Sequence, residues 1–154
     1  MATTFDIPGM YNATNHFIDR HTNKTSGVRV AYTDHAGDWT YHQLAAMVDQ
    51  AGNVLSNLGL KAEQRVLMCM TDSVWFPAVF WGAIKIGAVP VPVNTMLTGT
   101  DYAYMLHDSC ARVLVVSESL YLKFAPHING QPSLGEVVID GSSIDGRHSL
   151  SVLM

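Results

Sequence analysis

Residues 81–98 read WGAIKIGAVPVPVNTMLT, and four structural events follow one another in them. An apolar helix ends, Gly87 stops it, valines alternate with prolines through 89–93, and a polar loop opens at Asn94. The run decides between a membrane span and a buried crossover. Residues 74–93 carry one charge, Lys85, and at about 20 residues are long enough to cross a bilayer. Pro77, Pro90 and Pro92, with Gly82 and Gly87, break any such helix. Helix, turn and buried strand is the reading, with no membrane partner.

The same rhythm extends to both sides. Strands are predicted over 65–70, 89–93, 112–116 and 136–139. Helices are predicted over 72–86, capped by Asp72 or Ser73, and over 100–109, with a helical turn over 118–124. Short apolar strands alternating with helices indicate βαβ units, so these four strands are expected to be parallel neighbours in one sheet. Upstream, 28–33 and 39–41 flank the turn Asp34-His35-Ala36-Gly37-Asp38, which predicts a β-hairpin. Thr40 and Gln43 form a capping box for a helix whose Leu44, Met47, Val48, Ala51, Val54, Leu55 and Leu58 recur at helical spacing, and Gly59 ends it. A first helix is expected over 11–21, with Asn12 as its cap and Ala13, Phe17 and Ile18 on one face. Residues 140–154 read as a polar linker followed by a helix cut near its start.

Of the 154 residues 48% are hydrophobic and only 14% charged, where about 25% charged is usual, which suits strands buried on both faces. A net charge of −4 without a basic run offers nucleic acid no footprint. Cys69, in an apolar strand, and Cys110, at a helix end, read as reduced thiols of a cytoplasmic protein. The opening MATTFDIPGM has no basic start and apolar stretch, so no secretory signal is read there.

Three motifs in order carry a family resemblance: YNATNHFIDRH (11–21), DWTYHQLAAMVDQAGNVLSNLGL (38–60) and FWGAIKIGAVPVPVN (80–94), followed by DYAYMLHDS (101–109). Together they resemble the N-terminal region of the AMP-forming acyl-CoA synthetases, the adenylate-forming superfamily, and within it the benzoate-CoA ligase branch. The resemblance implies an α/β fold: a parallel sheet with flanking helices plus an N-terminal β-hairpin, with 1–154 the N-terminal part of the large domain. It implies ATP, Mg²⁺ and CoA as cofactors of the full enzyme, and the remainder of the ligase chain as partner. The phosphate-binding loop, the acidic metal ligand and the catalytic lysine of such enzymes would lie beyond Met154. The chain is therefore expected to be a fragment that is inactive alone, with no catalytic residue and no bound cofactor.

The residues themselves agree. Gly141-Ser142-Ser143-Ile144-Asp145-Gly146-Arg147 follows a strand but lacks a closing lysine, and its acids would repel phosphate, so no residue set neutralises a triphosphate. Seven histidines stand at no known ligand spacing, and no metal site is expected. Asp101 and Asp108 fit the two ends of one helix, and Trp75, Phe76, Phe80 and Trp81 read as core. The one expected functional contact is the loop Asn94, Thr95 and Met96, at the carboxyl end of a parallel strand and facing substrate or CoA. Met96 brings no positive charge for a CoA phosphate. An incomplete parallel sheet predicts exposed apolar surface and self-association through the sheet edge or the C-terminal segment. The rival function is a standalone, non-catalytic interaction module pairing through that edge.

Overall fold

The fold begins from one asparagine. The computed structural model describes residues 9–154, so the reading of 1–8 as free of a secretory signal lies outside the described residues. Asn12 accepts from the Thr14 N–H at 2.9 Å and caps α1 (Ala13–Phe17). Its side-chain amide donates to the carbonyls of Ile84 and Lys85 at 3.0 and 3.2 Å. The single helix expected over 11–21 breaks at Ile18 into α1 and a 3-10 turn, Asp19–His21. Asn, Thr, His and Asp hold a helix poorly in isolation, and tertiary contacts decide the outcome. The inward face is Thr14 and Ile18, while Phe17 stays half exposed. Thr14 donates to the Trp81 carbonyl at 3.0 Å.

Strands β1 (Val30–Asp34) and β2 (Gly37–Thr40) form the antiparallel hairpin. Helix α2 (Tyr41–Asn57) starts at the expected Thr40–Gln43 capping box and ends before Gly59, whose φ of 83° suits a residue without a Cβ. The sheet follows: β3 (Arg65–Cys69), α3 (Trp75–Lys85), β4 (Val89–Pro92), α4 (Gly99–Ser109), β5 (Val113–Ser117), a 3-10 turn, α5 (Tyr121–Ile128) and β6 (Glu136–Asp140). All pairs are parallel, in the order β4-β3-β5-β6 with a fifth strand outside β6. The fifth strand, β7 (His148–Ser149), lies in the segment read as linker. It is two polar residues long and pairs with Val138 and Ile139, so no hydrophobic period could announce it. Helix α6 (Leu150–Leu153) follows directly.

Burial on both faces accounts for the low charge. Val66 and Met68 face α2 and α3 with Leu55, Val79 and Ala83. Leu67, Leu114 and Val116 face α4 and α5 with Tyr102, Leu106 and Phe124. Two expectations are corrected here. Trp75, Phe76, Phe80 and Trp81 are half-buried flanks, and the inward face of α3 is Ala78, Val79, Gly82 and Ala83. Helix α2 comes so close that only small residues fit between, which moves the rings aside. Neither Asp72 nor Ser73 caps α3. Asp34, from the hairpin, accepts from the Val74 N–H at 2.8 Å and supplies the carboxylate to that helix start.

The free side of edge strand β4 carries no backbone donor. Val89 and Val93 donate inward to Gln64 and Met68 at 2.8 and 2.9 Å. By strand alternation, the nitrogens turned outward belong to Pro90 and Pro92, which have no N–H. Such an edge is a poor template for a second chain.

Candidate functional site

Chain order fixes where an open parallel sheet leaves a crevice. From β3 the chain moves outward to β4, then returns across β3 to lay β5 on the other side. The connections therefore diverge above the carboxyl ends of β3 and β5, the place where open α/β sheets accept ligands.

Polar groups occupy that end. The Ser117 hydroxyl accepts from the Thr71 N–H at 2.9 Å and donates to Asp140 Oδ2 at 3.1 Å. One hydroxyl thus ties the ends of β3, β5 and β6. Burial pushes the Asp140 carboxyl up, and the Ser117 hydrogen bond partly opposes it. Next to it, Glu118 accepts from the Ser142 N–H at 2.7 Å and Asp145 accepts from the Tyr121 hydroxyl at 3.2 Å. These acids are engaged by hydroxyl and backbone donors, and so they shape the crevice walls.

The loop Asn94-Thr95-Met96 lies at the same end, above edge strand β4. Its backbone is pinned from below. Asn94 Oδ1 accepts from the Met96 N–H at 2.8 Å, and the buried Tyr102 hydroxyl donates to the Asn94 carbonyl at 2.8 Å. Lys123 reaches the Leu97 carbonyl at 3.2 Å, and Thr98 with Asp101 closes a second capping box at the start of α4. Burial is the main cause pushing the Tyr102 hydroxyl up to about 12, with the neighbouring Cys69 adding to it. It remains a donor at every ordinary pH. Asn94 and Met96 point to solvent, Met96 at 86% exposure, so the loop is rigid in backbone and open in side chain. No hydrogen bond among the described residues links it to the Thr71–Ser117–Asp140 chain.

Sequence reading did not single out Thr71, Ser117, Asp140 or Tyr102. A signal existed for two of them: Ser117 and Asp140 are the polar residues that close VLVVS and EVVID. No three His, Cys, Asp or Glu side chains converge among the described residues. Arg20 reaches both His16 and His21, at 3.1 and 3.0 Å.

Asp34 makes a pH prediction. It accepts from the Trp39 indole and the Ala36 N–H as well as from Val74, at 3.1, 2.9 and 2.8 Å. Trp39 first, then Val74 and Ala36, hold its carboxyl below the usual range. A carboxyl lowered on folding adds stability above its unfolded value of about 3.9, lost as pH falls through the folded value. Asp34→Ala is expected to lower the melting temperature by several degrees at pH 7, with the gap to wild type narrowing as pH falls below the carboxyl's unfolded value of about 3.9. Melting curves from pH 2.5 to 7 check it, and a gap independent of pH contradicts the capping role.

Comparison with known proteins agrees with this architecture. Residues 18–149 match the family described as AMP-binding enzyme. The benzoate--CoA ligase of Thauera aromatica is 44% identical over 149 residues, covering 96% of this chain and 28% of that protein. A benzoate CoA ligase structure from Burkholderia xenovorans LB400 superposes with a TM-score of 0.82 at 30% identity, over 94% of this chain and 28% of that one. The anthranilate CoA ligase AuaEII, in complex with anthranoyl-AMP, superposes with a TM-score of 0.87 at 28% identity, over 96% and 27%. The chain thus spans somewhat over a quarter of each. With a family match across nearly its whole length and the parallel sheet in place, this chain belongs to the AMP-binding enzyme family.

Proposed function

We propose that this chain is the N-terminal part of the large domain of an aryl-carboxylate CoA ligase of the benzoate type. In the full enzyme ATP and the carboxylate form an acyl-adenylate and pyrophosphate, and CoA displaces AMP to give the acyl-CoA. ATP, Mg²⁺ and CoA are cofactors of that enzyme, which serves the breakdown of aromatic acids in the cytoplasm. The observation that carries the reading is the 44% identity to a benzoate--CoA ligase across 96% of this chain. The carboxyl-end crevice suits it, because the hydroxyls of Thr71 and Ser117 and the hydrogen-bonded carboxylate of Asp140 line the end of the sheet where open α/β folds accept ligands. The catalytic groups belong to the remainder of the ligase, which would also cover the half-buried rings of Phe76, Phe80 and Trp81. Asn94, Thr95 and Met96 are proposed to face substrate or CoA.

Two assays test this. The protein translated from the complete reading frame is expected to convert benzoate, ATP and CoA to benzoyl-CoA, AMP and pyrophosphate. The 154-residue chain alone, given MgATP and benzoate, is expected to release no pyrophosphate. Turnover by the chain alone, or a complete enzyme that activates only aliphatic acids, overturns the reading. A standalone module pairing through its sheet edge would have to use the β7 side, since the outward positions of β4 are Pro90 and Pro92. Self-association is proposed as well, through the other sheet edge at β7 or through the C-terminal segment that follows it.

A further inference from the structure

Two arginines stand together at the amino ends of the central strands, while β6 beside them opens on Glu136. Arg65 opens β3, and Arg112 immediately precedes β5. The two are adjacent: the Arg112 N–H donates to the Arg65 carbonyl at 2.8 Å, and Val66 pairs with Val113 directly after them. Both side chains fall on the α4 face, because Leu67 and Leu114, two residues on, share the cluster there. Like charges side by side on neighbouring strands repel each other. Lys61 joins them from the α2–β3 connection, and together the three line a cleft of about 390 Å³. Gln64, Ser133 and the exposed Cys110 complete its wall.

None of the three cationic heads takes part in an ion pair or a side-chain hydrogen bond among the described residues, whereas Lys85 holds two aspartates and Lys123 a carbonyl. One third of the chain's 9 lysines and arginines therefore converges, uncompensated, on one concave site of an acidic protein. Gly135 makes room for it: a Cβ there would stand 2.6 Å from the Arg112 guanidinium carbon. The sequence shows no basic run because these cations reach the cleft from separate segments.

We propose that this cleft binds a compact polyphosphate anion, the diphosphate group of pyrophosphate or of a nucleotide. Two guanidiniums side by side present paired N–H donors matched to phosphate oxygens, and Lys61 adds a third charge. The site is on the opposite end of the sheet from the carboxyl-end crevice and does not depend on the ligase assignment.

Calorimetric titration of the chain with sodium pyrophosphate and with ADP, at low ionic strength, tests the proposal. One saturable site is expected, weakened at least tenfold by the double substitution Arg65→Gln and Arg112→Gln and unchanged by Lys24→Gln, a surface cation elsewhere. Equal affinity for the two ligands assigns binding to the diphosphate group alone, and tighter ADP assigns it to a nucleotide. Either supports the site. In the wild-type chain, pyrophosphate is also expected to slow alkylation of Cys110 by a neutral maleimide several-fold, where sodium chloride of equal ionic strength does not. That measurement needs no variant to fold. Absence of saturable binding, equal weakening by Lys24→Gln, or Cys110 kinetics indifferent to pyrophosphate overturns the proposal.

Discussion

Gly82→Val is expected to lower stability by about 3 kcal/mol or more, roughly 6–12 °C in melting temperature for a chain of this size. Helices α2 and α3 meet at Gly82 and Gly52. A Cβ on Gly82 would lie 2.8 Å from the Gly52 nitrogen and 2.9 Å from the Val48 carbonyl oxygen. Those are backbone atoms within a helix and cannot step aside, so the two helices must separate. Separation uncovers Val48, Ala51 and Val79, all now within 1% of full burial. Even alanine, favoured over glycine in a helix by about 1 kcal/mol, is expected to be destabilising here. Gly52→Ala is the contrast. Its Cβ would meet the Gly82 oxygen and the Ile86 Cγ2, both at 3.2 Å, and the Ile86 side chain can rotate. That variant is expected to melt within a few degrees of wild type. A Gly82→Val protein melting like wild type would mean that the close approach of the helices is not what holds them.

This contact shows which features a linear reading reaches. Thr40 with Gln43, Gly59 and the strand at Arg65–Cys69 were legible because their causes are local: a cap and its partner three residues on, a stop after an apolar face, an apolar run of five. The parallel sheet was legible from the alternation of such runs with helices. The position of Asn94-Thr95-Met96 at a strand's carboxyl end followed from the same order. What escaped is held by distant partners. Asp34 caps a helix beginning 40 residues later, and Thr71 meets Ser117 across 46 residues. Strand β7 exists only because β6 is there to pair with it. The ring-rich face of α3 was read as core from its helical spacing, but the proximity of α2 reserves the inner face for small residues and leaves the rings packed against the core's margin. Arg65, Arg112 and Lys61 form a charge cluster only once β3 and β5 are neighbours.

Phe124→Ala is expected to remove about 3–5 kcal/mol, a large part of a domain's stability of about 5–15 kcal/mol. Phe124 is fully buried and stacks on Tyr102 with ring centres 4.3 Å apart. Helix α5 has little else to sustain it: eight residues with Pro126 inside, well below the ~12–15 at which isolated helices become marginal. Its persistence rests on Tyr121, Phe124 and Ile128, the buried positions along it. Leu122→Ala on the same helix, at a position 78% exposed, is expected to change stability by less than about 0.5 kcal/mol. Denaturant midpoints of the two variants separate packing from helix propensity, since both replace a large residue by alanine. The loss should also reach the 94–97 loop. Phe124 seats Tyr102, whose hydroxyl holds the Asn94 carbonyl, and α5 carries Lys123, which holds the Leu97 carbonyl. Amide exchange in Phe124→Ala is therefore expected to speed up at Met96, in the loop, and at Tyr102 as well as in α5. Exchange that rises in α5 alone would show that the loop holds its own shape, and that the buried rings beneath it serve the core without serving the candidate site.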